Sequence, residues 1–175
     1  MTFPARHEIR IEGETGDVAA TITWEQLREL AAFRAEHGCA VSLYVGLDPS
    51  IVPTAGDLAS HVRSLLARAE RQLNEQRSTL SADERKAIAR SIERIDGWFG
   101  SEFSREGVRG VAVFSAERED LFLPLPLPWP VEDEARIAKQ LYLAPLVRLV
   151  GRDDGRSSRT SGESEATSTG CVPAS

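Results

Sequence analysis

The chain has 175 residues, a formal net charge of −6, 41% hydrophobic and 27% charged residues, two cysteines and three histidines. A folded body of about 150 residues buries roughly two thirds of its unfolded surface, and this apolar fraction excludes a wholly disordered chain. The acidity argues against avid, sequence-independent attachment to nucleic acid.

Residues 1–8 carry no apolar core behind a basic start, so they do not read as a signal peptide. Residues 1–22 form an expected arm or hairpin, with Ile9, Ile11, Val18, Ala20 and Ile22 alternating around Gly13-Glu14-Thr15-Gly16. Thr23 and Gln26 have the spacing of a capping box, and Leu27, Leu30 and Ala31 share a face behind it. The expected helix runs from Trp24 to His37 and stops at Gly38. Cys39 to Val45 reads as a central strand, apolar on both faces. Asp48-Pro49-Ser50-Ile51-Val52-Pro53 then forces an extended loop.

Thr54 and Asp57 open a second helix with apolar positions 58, 62, 65, 66, 69 and 73. Ser81 and Glu84 cap a third, carrying Ile88, Ile92, Ile95 and Phe99. The two are expected to pack antiparallel across a turn near residues 76–80. Arg109 to Ser115 reads as a second strand, and Asp120 to Pro126 as its hairpin partner. Alternate prolines make that partner an edge, or end it near Leu123. Pro145 opens a short apolar helix within Leu141 to Val150. The expected fold is α/β (α+β): a small mixed sheet with packed helices, a long antiparallel helical pair among them. Residues 23–150 form the domain. Residues 151–175, rich in Ser, Thr and Gly, form a disordered tail, too poor in apolar surface to offset about 1–2 kcal/mol of ordering per residue.

Catalytic signals are sparse. Leu121 to Val131, the longest uncharged apolar run, has 11 residues and four prolines and is no membrane helix. Cys39 and Cys171 do not make a disulfide framework. His37, Cys39 and Asp48 near the first strand offer one possible small-molecule site, weighed against a helix end meeting a strand start. His61, beside Val62 and Leu65 on the second helix, reads as a half-buried neighbour of the core. No nucleophile elbow, phosphate-binding glycine loop or His-Glu-x-x-His is present. No metal or other cofactor is expected. The proline-rich edge 123–130 with Trp129 offers a protein-interaction reading, weighed against a linker lying across its own domain.

Charge is more informative. Between His61 and Arg94, eight cations face five carboxylates, a local balance of +3 in an acidic chain. Lys86, Arg90 and Arg94 recur every four residues, about 200° around the helix from Ile88, Ile92 and Ile95. That places a cationic stripe away from the core, suited to a phosphate backbone, and Arg71 of the second helix joins it as a candidate contact. The alternative is an ordinary solvated helix face.

Three segments read together carry a resemblance. They are Leu27-Arg28-Glu29-Leu30-Ala31-Ala32-Phe33 leading into Val41-Ser42-Leu43-Tyr44-Val45, then Arg109-Gly110-Val111-Ala112-Val113-Phe114-Ser115, then Leu125-Pro126-Leu127-Pro128 leading to Tyr142-Leu143-Ala144-Pro145-Leu146. From Trp24 to Val150 the chain resembles the amino-terminal domain of bacterial proteins related to archaeal and eukaryotic class-1 peptide-chain release factors. Those proteins are also relatives of the peptidyl-tRNA hydrolases of ribosome quality control. The resemblance implies a cytoplasmic translation protein whose partner is the ribosome or tRNA. In the family, hydrolysis belongs to a glycine-glycine-glutamine loop in a following middle domain. This sequence has no Gly-Gly pair and leaves the family pattern near Gly151, so no catalytic residue carries over and a truncated, non-hydrolytic protein is expected. The Asn-Ile-Lys-Ser element of codon reading is absent too.

Overall fold

The computed structural model describes residues 22–157. The expected arm, apart from Ile22, and residues 158–175 of the expected tail lie outside the described residues.

Local chemistry starts each of the first three helices. Helix α1 (Trp24–Ala32) is capped by Thr23, whose hydroxyl accepts the Gln26 N–H while Gln26 Oε1 accepts the Thr23 N–H. Thr54 with Asp57 does the same for α2 (Ala55–Glu75), and Ser81 with Glu84 for α3 (Ala82–Ser101). Each box satisfies two backbone donors that a helix start otherwise leaves unpaired. The apolar periodicity of α2 and α3 then turns Leu58, Val62, Leu65, Ile88, Ile92 and Ile95 inward.

Strands β1 (Ala40–Gly46), β2 (Gly110–Ala116), β3 (Leu121–Leu127) and β4 (Glu134–Ala138) form one sheet in the order β3-β2-β1-β4. All three pairings are antiparallel, so the sheet is not mixed in strand direction. Both central strands are buried nearly throughout. Alternation sends Val41, Leu43, Val45, Val111 and Val113 to the face covered by α2 and α3. It sends Ala40, Tyr44, Ala112 and Phe114 to the other face, where Leu27 and Leu30 of α1 and Leu146 of α4 (Ala144–Ser157) complete a second core. The fold is a sheet between two helical layers.

Two side chains of β1 fasten that second layer. The Ser42 hydroxyl accepts the Tyr142 N–H at 3.0 Å, and the Tyr44 hydroxyl donates to the Tyr142 carbonyl. The segment from Pro128 to Asp133 crosses from the β3 edge to the β4 edge over paired glycines, Gly46 and Gly110. A Cβ on Gly110 would sit 2.7 Å from the Trp129 carbonyl oxygen, and one on Gly46 2.7 Å from that of Val131. The crossing chain fits only because both residues lack side chains.

Both sheet edges are blunted. The Leu47 N–H donates to the Arg109 carbonyl, so odd-numbered residues of β1 and β2 face each other. Even-numbered residues of β2 therefore face β3, and Pro124 and Pro126 turn their missing donors outward. On the far side, Ala135 and Lys139 point away from β1. Gln72 Nε2 donates to the Ala135 carbonyl at 2.8 Å, and the Ala35 N–H to that of Lys139 at 2.7 Å. Such edges resist pairing with another chain.

Three expectations are corrected here. Helix α1 ends at Ala32, not His37, because Phe33 turns extended and Arg34 bridges to Gln140 beside β4. Strand β4 was not expected at all. Helix α4 continues past Gly151 to Ser157, where a disordered tail was expected, because extending a packed helix costs far less than starting one.

Candidate nucleic-acid interface

The expected cationic stripe lies on α3 with all three residues exposed, but acidic groups stand beside two of them. The 3-10 turn Glu117–Glu119 between β2 and β3 folds against the flank of α3, where the buried Ser91 hydroxyl accepts the Glu117 N–H at 3.1 Å. That contact brings Arg90 Nη1 to 3.0 Å from Glu117 Oε1. It also places Arg94 Nη1 3.9 Å from Asp120 Oδ1, with the guanidinium carbon 4.6 Å from the Phe122 ring centroid. Two of the three stripe residues thus have carboxylate partners. Lys86 remains exposed and has no ion pair among the described residues. These exposed pairs stabilise the fold by about 0–1 kcal/mol each, yet they neutralise the charge the stripe was expected to offer.

Arg71 lies elsewhere, on the solvent side of α2. With Arg68, Gln72 and Glu75 of α2 and Glu134 and Ala135 of β4 it lines a groove of about 420 Å³ along the outer edge of β4. Neither arginine has an ion pair among the described residues. Glu134, by contrast, is held by Arg136 Nε at 2.9 Å, and Arg136 also lies over the Tyr142 ring. Arg68 was not among the expected contacts. Its one-turn spacing from Arg71 is visible in the chain, but the concavity depends on β4, which was not foreseen.

The three groups of the alternative small-molecule site do not converge. His37 is on the surface; its N–H donates to Glu119 Oε1 at 3.0 Å and its carbonyl accepts from Arg118 Nη1 at 2.7 Å. Cys39 is half-buried against the core below α3. Burial pushes its thiol up, and the nearby carboxylates of Glu84 and Glu119 push the same way, which disfavours the nucleophilic thiolate. Asp48 lies beyond the opposite end of β1, a seven-residue strand and so roughly 20 Å or more away. There the hydroxyl and N–H of Ser50 bond its carboxylate and hold it below the ordinary carboxylate range. It closes a turn.

The proline-rich segment is also structural. Residues 123–127 belong to β3, and Trp129 and Val131 lie on the crossing over Gly46 and Gly110. Past that crossing, Asp133 Oδ1 accepts the Gly46 N–H at 2.8 Å while Oδ2 lies 2.9 Å from His61 Nε2, which ties the crossing to both β1 and α2. Among the described residues no helix is long and apolar enough to cross a membrane, and no three His, Cys, Asp or Glu side chains gather to hold a metal.

No family model and no curated protein matches the chain. A solved structure described as an archaeal protein is similar to it, at a TM-score of 0.50 and 17% identity. The match covers 72% of this chain and 34% of the other, so the chain corresponds to about a third of that protein's length. At that identity the likeness concerns the fold alone.

Proposed function

We propose that this domain is the amino-terminal domain of a release-factor-like translation protein, acting in the cytoplasm by binding the ribosome or tRNA and not by hydrolysis. The observation that supports this most is spatial. The three resembling segments, far apart in the chain, meet in one core: Leu27 and Leu30, Tyr44, Ala112 and Phe114, Leu125 and Leu127, and Leu143 and Leu146 pack together on one face of the sheet. Buried residues of all three segments thus share one core. The helical pair on the opposite face carries the cations available for RNA. This domain contains no Gly-Gly pair and so no glycine-glycine-glutamine loop, which supports a binding role for it.

Fluorescence anisotropy with labelled tRNA at a series of salt concentrations tests the reading. Saturable binding is expected, with log K falling linearly against log salt. Absence of binding at low salt to both tRNA and ribosomes would sink it. Because Arg90 and Arg94 already have acidic partners, replacing both with Gln should change tRNA affinity less than twofold.

A further inference from the structure

We propose that the groove between α2 and the outer edge of β4 seats a phosphate group between Arg68 and Arg71. The proposal rests on the translation reading only for the source of that phosphate, an RNA backbone. A free phosphorylated small molecule is the other source of the same chemistry.

Arg68 and Arg71 lie one turn apart on α2, a spacing that puts Cβ atoms about 5–6 Å from each other. Both reach into a concavity of about 420 Å³, within the range of small-ligand sites. The chain has six more carboxylates than cations, and Arg90, Arg94 and Arg136 all have acidic partners. Arg68 and Arg71 have none among the described residues, although two glutamates line the same groove. Glu134 is taken by Arg136, and the Gln72 amide is spent on the Ala135 carbonyl. Only Glu75 is left to offset two guanidiniums. Arg63 and Arg77 are exposed and have no ion pair among the described residues either, but they do not line the groove. Two forked donors closing from adjacent turns match the several acceptor oxygens of one phosphate. Glu75, which also lines the groove, leaves a net charge that suits one phosphate group rather than several.

The test uses the full chain. Arginine side-chain NMR signals are followed while inorganic phosphate, and separately a short single-stranded RNA, is added. Phosphate should shift Arg68 and Arg71 and leave Arg63 and Arg77 in place. R68Q/R71Q should weaken RNA binding about tenfold and flatten the slope of log K against log salt by about 0.7, the value for one lost phosphate contact on a single strand. Both arginines are exposed, and an unchanged circular dichroism spectrum verifies the fold of the variant. Equal shifts at all four arginines would overturn the groove, whatever RNA does. A selective phosphate shift without RNA binding would uphold the groove, assign it to a free phosphorylated compound and overturn the RNA backbone as its source. RNA binding with an unchanged slope in R68Q/R71Q would leave that reading standing and overturn the groove as its RNA contact.

Discussion

Replacing Gly110 with Ala should destabilise the domain, against the usual effect of such a change. Glycine to alanine at a compatible position gains about 0.4–1 kcal/mol by restricting the unfolded chain. At Gly110 the new Cβ would meet the Trp129 carbonyl oxygen at 2.7 Å, Val131 Cγ2 at 2.8 Å and the Val131 N at 3.2 Å. Those separations are inside the roughly 3.5–4.0 Å of optimal carbon contact, and two of the three atoms are backbone. The crossing segment must lift, and overpacking of this kind costs about 1–3 kcal/mol. Gly46→Ala meets the Val131 carbonyl oxygen at 2.7 Å and should cost a similar amount. Since both changes displace the same few residues, the double variant should lose less than the two single losses combined. Gly97 and Gly100 of α3 are internal controls. A Cβ there meets nothing within 4 Å, so alanine should stabilise by about 0.5–1 kcal/mol at each. Urea denaturation followed by circular dichroism separates the two classes. The melting temperature should fall by roughly 2–12 °C for the first pair and rise by a few degrees for the second. A Gly110→Ala protein as stable as the parent would refute the account of how the chain crosses the sheet.

Two further predictions concern β1 and the β3 edge. Burial pushes the Tyr44 hydroxyl well above its ordinary value of 10, so its neutral form is favoured in the folded state. Its stabilisation is complete below about pH 10 and is lost as pH rises above that. The stability advantage of the parent over Tyr44→Phe should therefore shrink above pH 10 in urea titrations. An advantage constant across that range would contradict the burial argument. Pro124→Val with Pro126→Val restores two outward N–H donors to the edge of β3 and should produce concentration-dependent association in size-exclusion chromatography with light scattering. A protein with the parent's association state at every concentration would show that the prolines do not guard the edge.

What could be read in advance followed local rules. The three capping boxes, the periodicity of α2 and α3, and the apolar runs of β1 and β2 are decided within a few residues, and each sits where those residues place it. The failures share one cause, contacts between residues far apart in the chain. Glu134-Ala135-Arg136-Ile137-Ala138 has a helix former's composition and becomes a strand because β1 presents an open edge. The continuation of β4 in turn ends α1 early, pairing Gln140 with Arg34 and accepting the Ala35 N–H at Lys139. The spacing of Lys86, Arg90 and Arg94 correctly made them one row. Nothing in the row foretold that the turn after β2 would fold back and supply Glu117 and Asp120 as partners. For the same reason Arg68 gained significance only once β4 lay beside it. His37 and Cys39 were close in sequence and remain so, but Asp48 is separated from both by the length of the strand.

The most direct test of the central claim is co-sedimentation of the full chain with ribosomes at low and at near-physiological salt. The account predicts a saturable, stoichiometric pellet fraction that falls as salt rises, is reduced by R68Q/R71Q and is nearly unaffected by R90Q/R94Q. Absence of the chain from the pellet at low salt, together with no binding to tRNA, would contradict it.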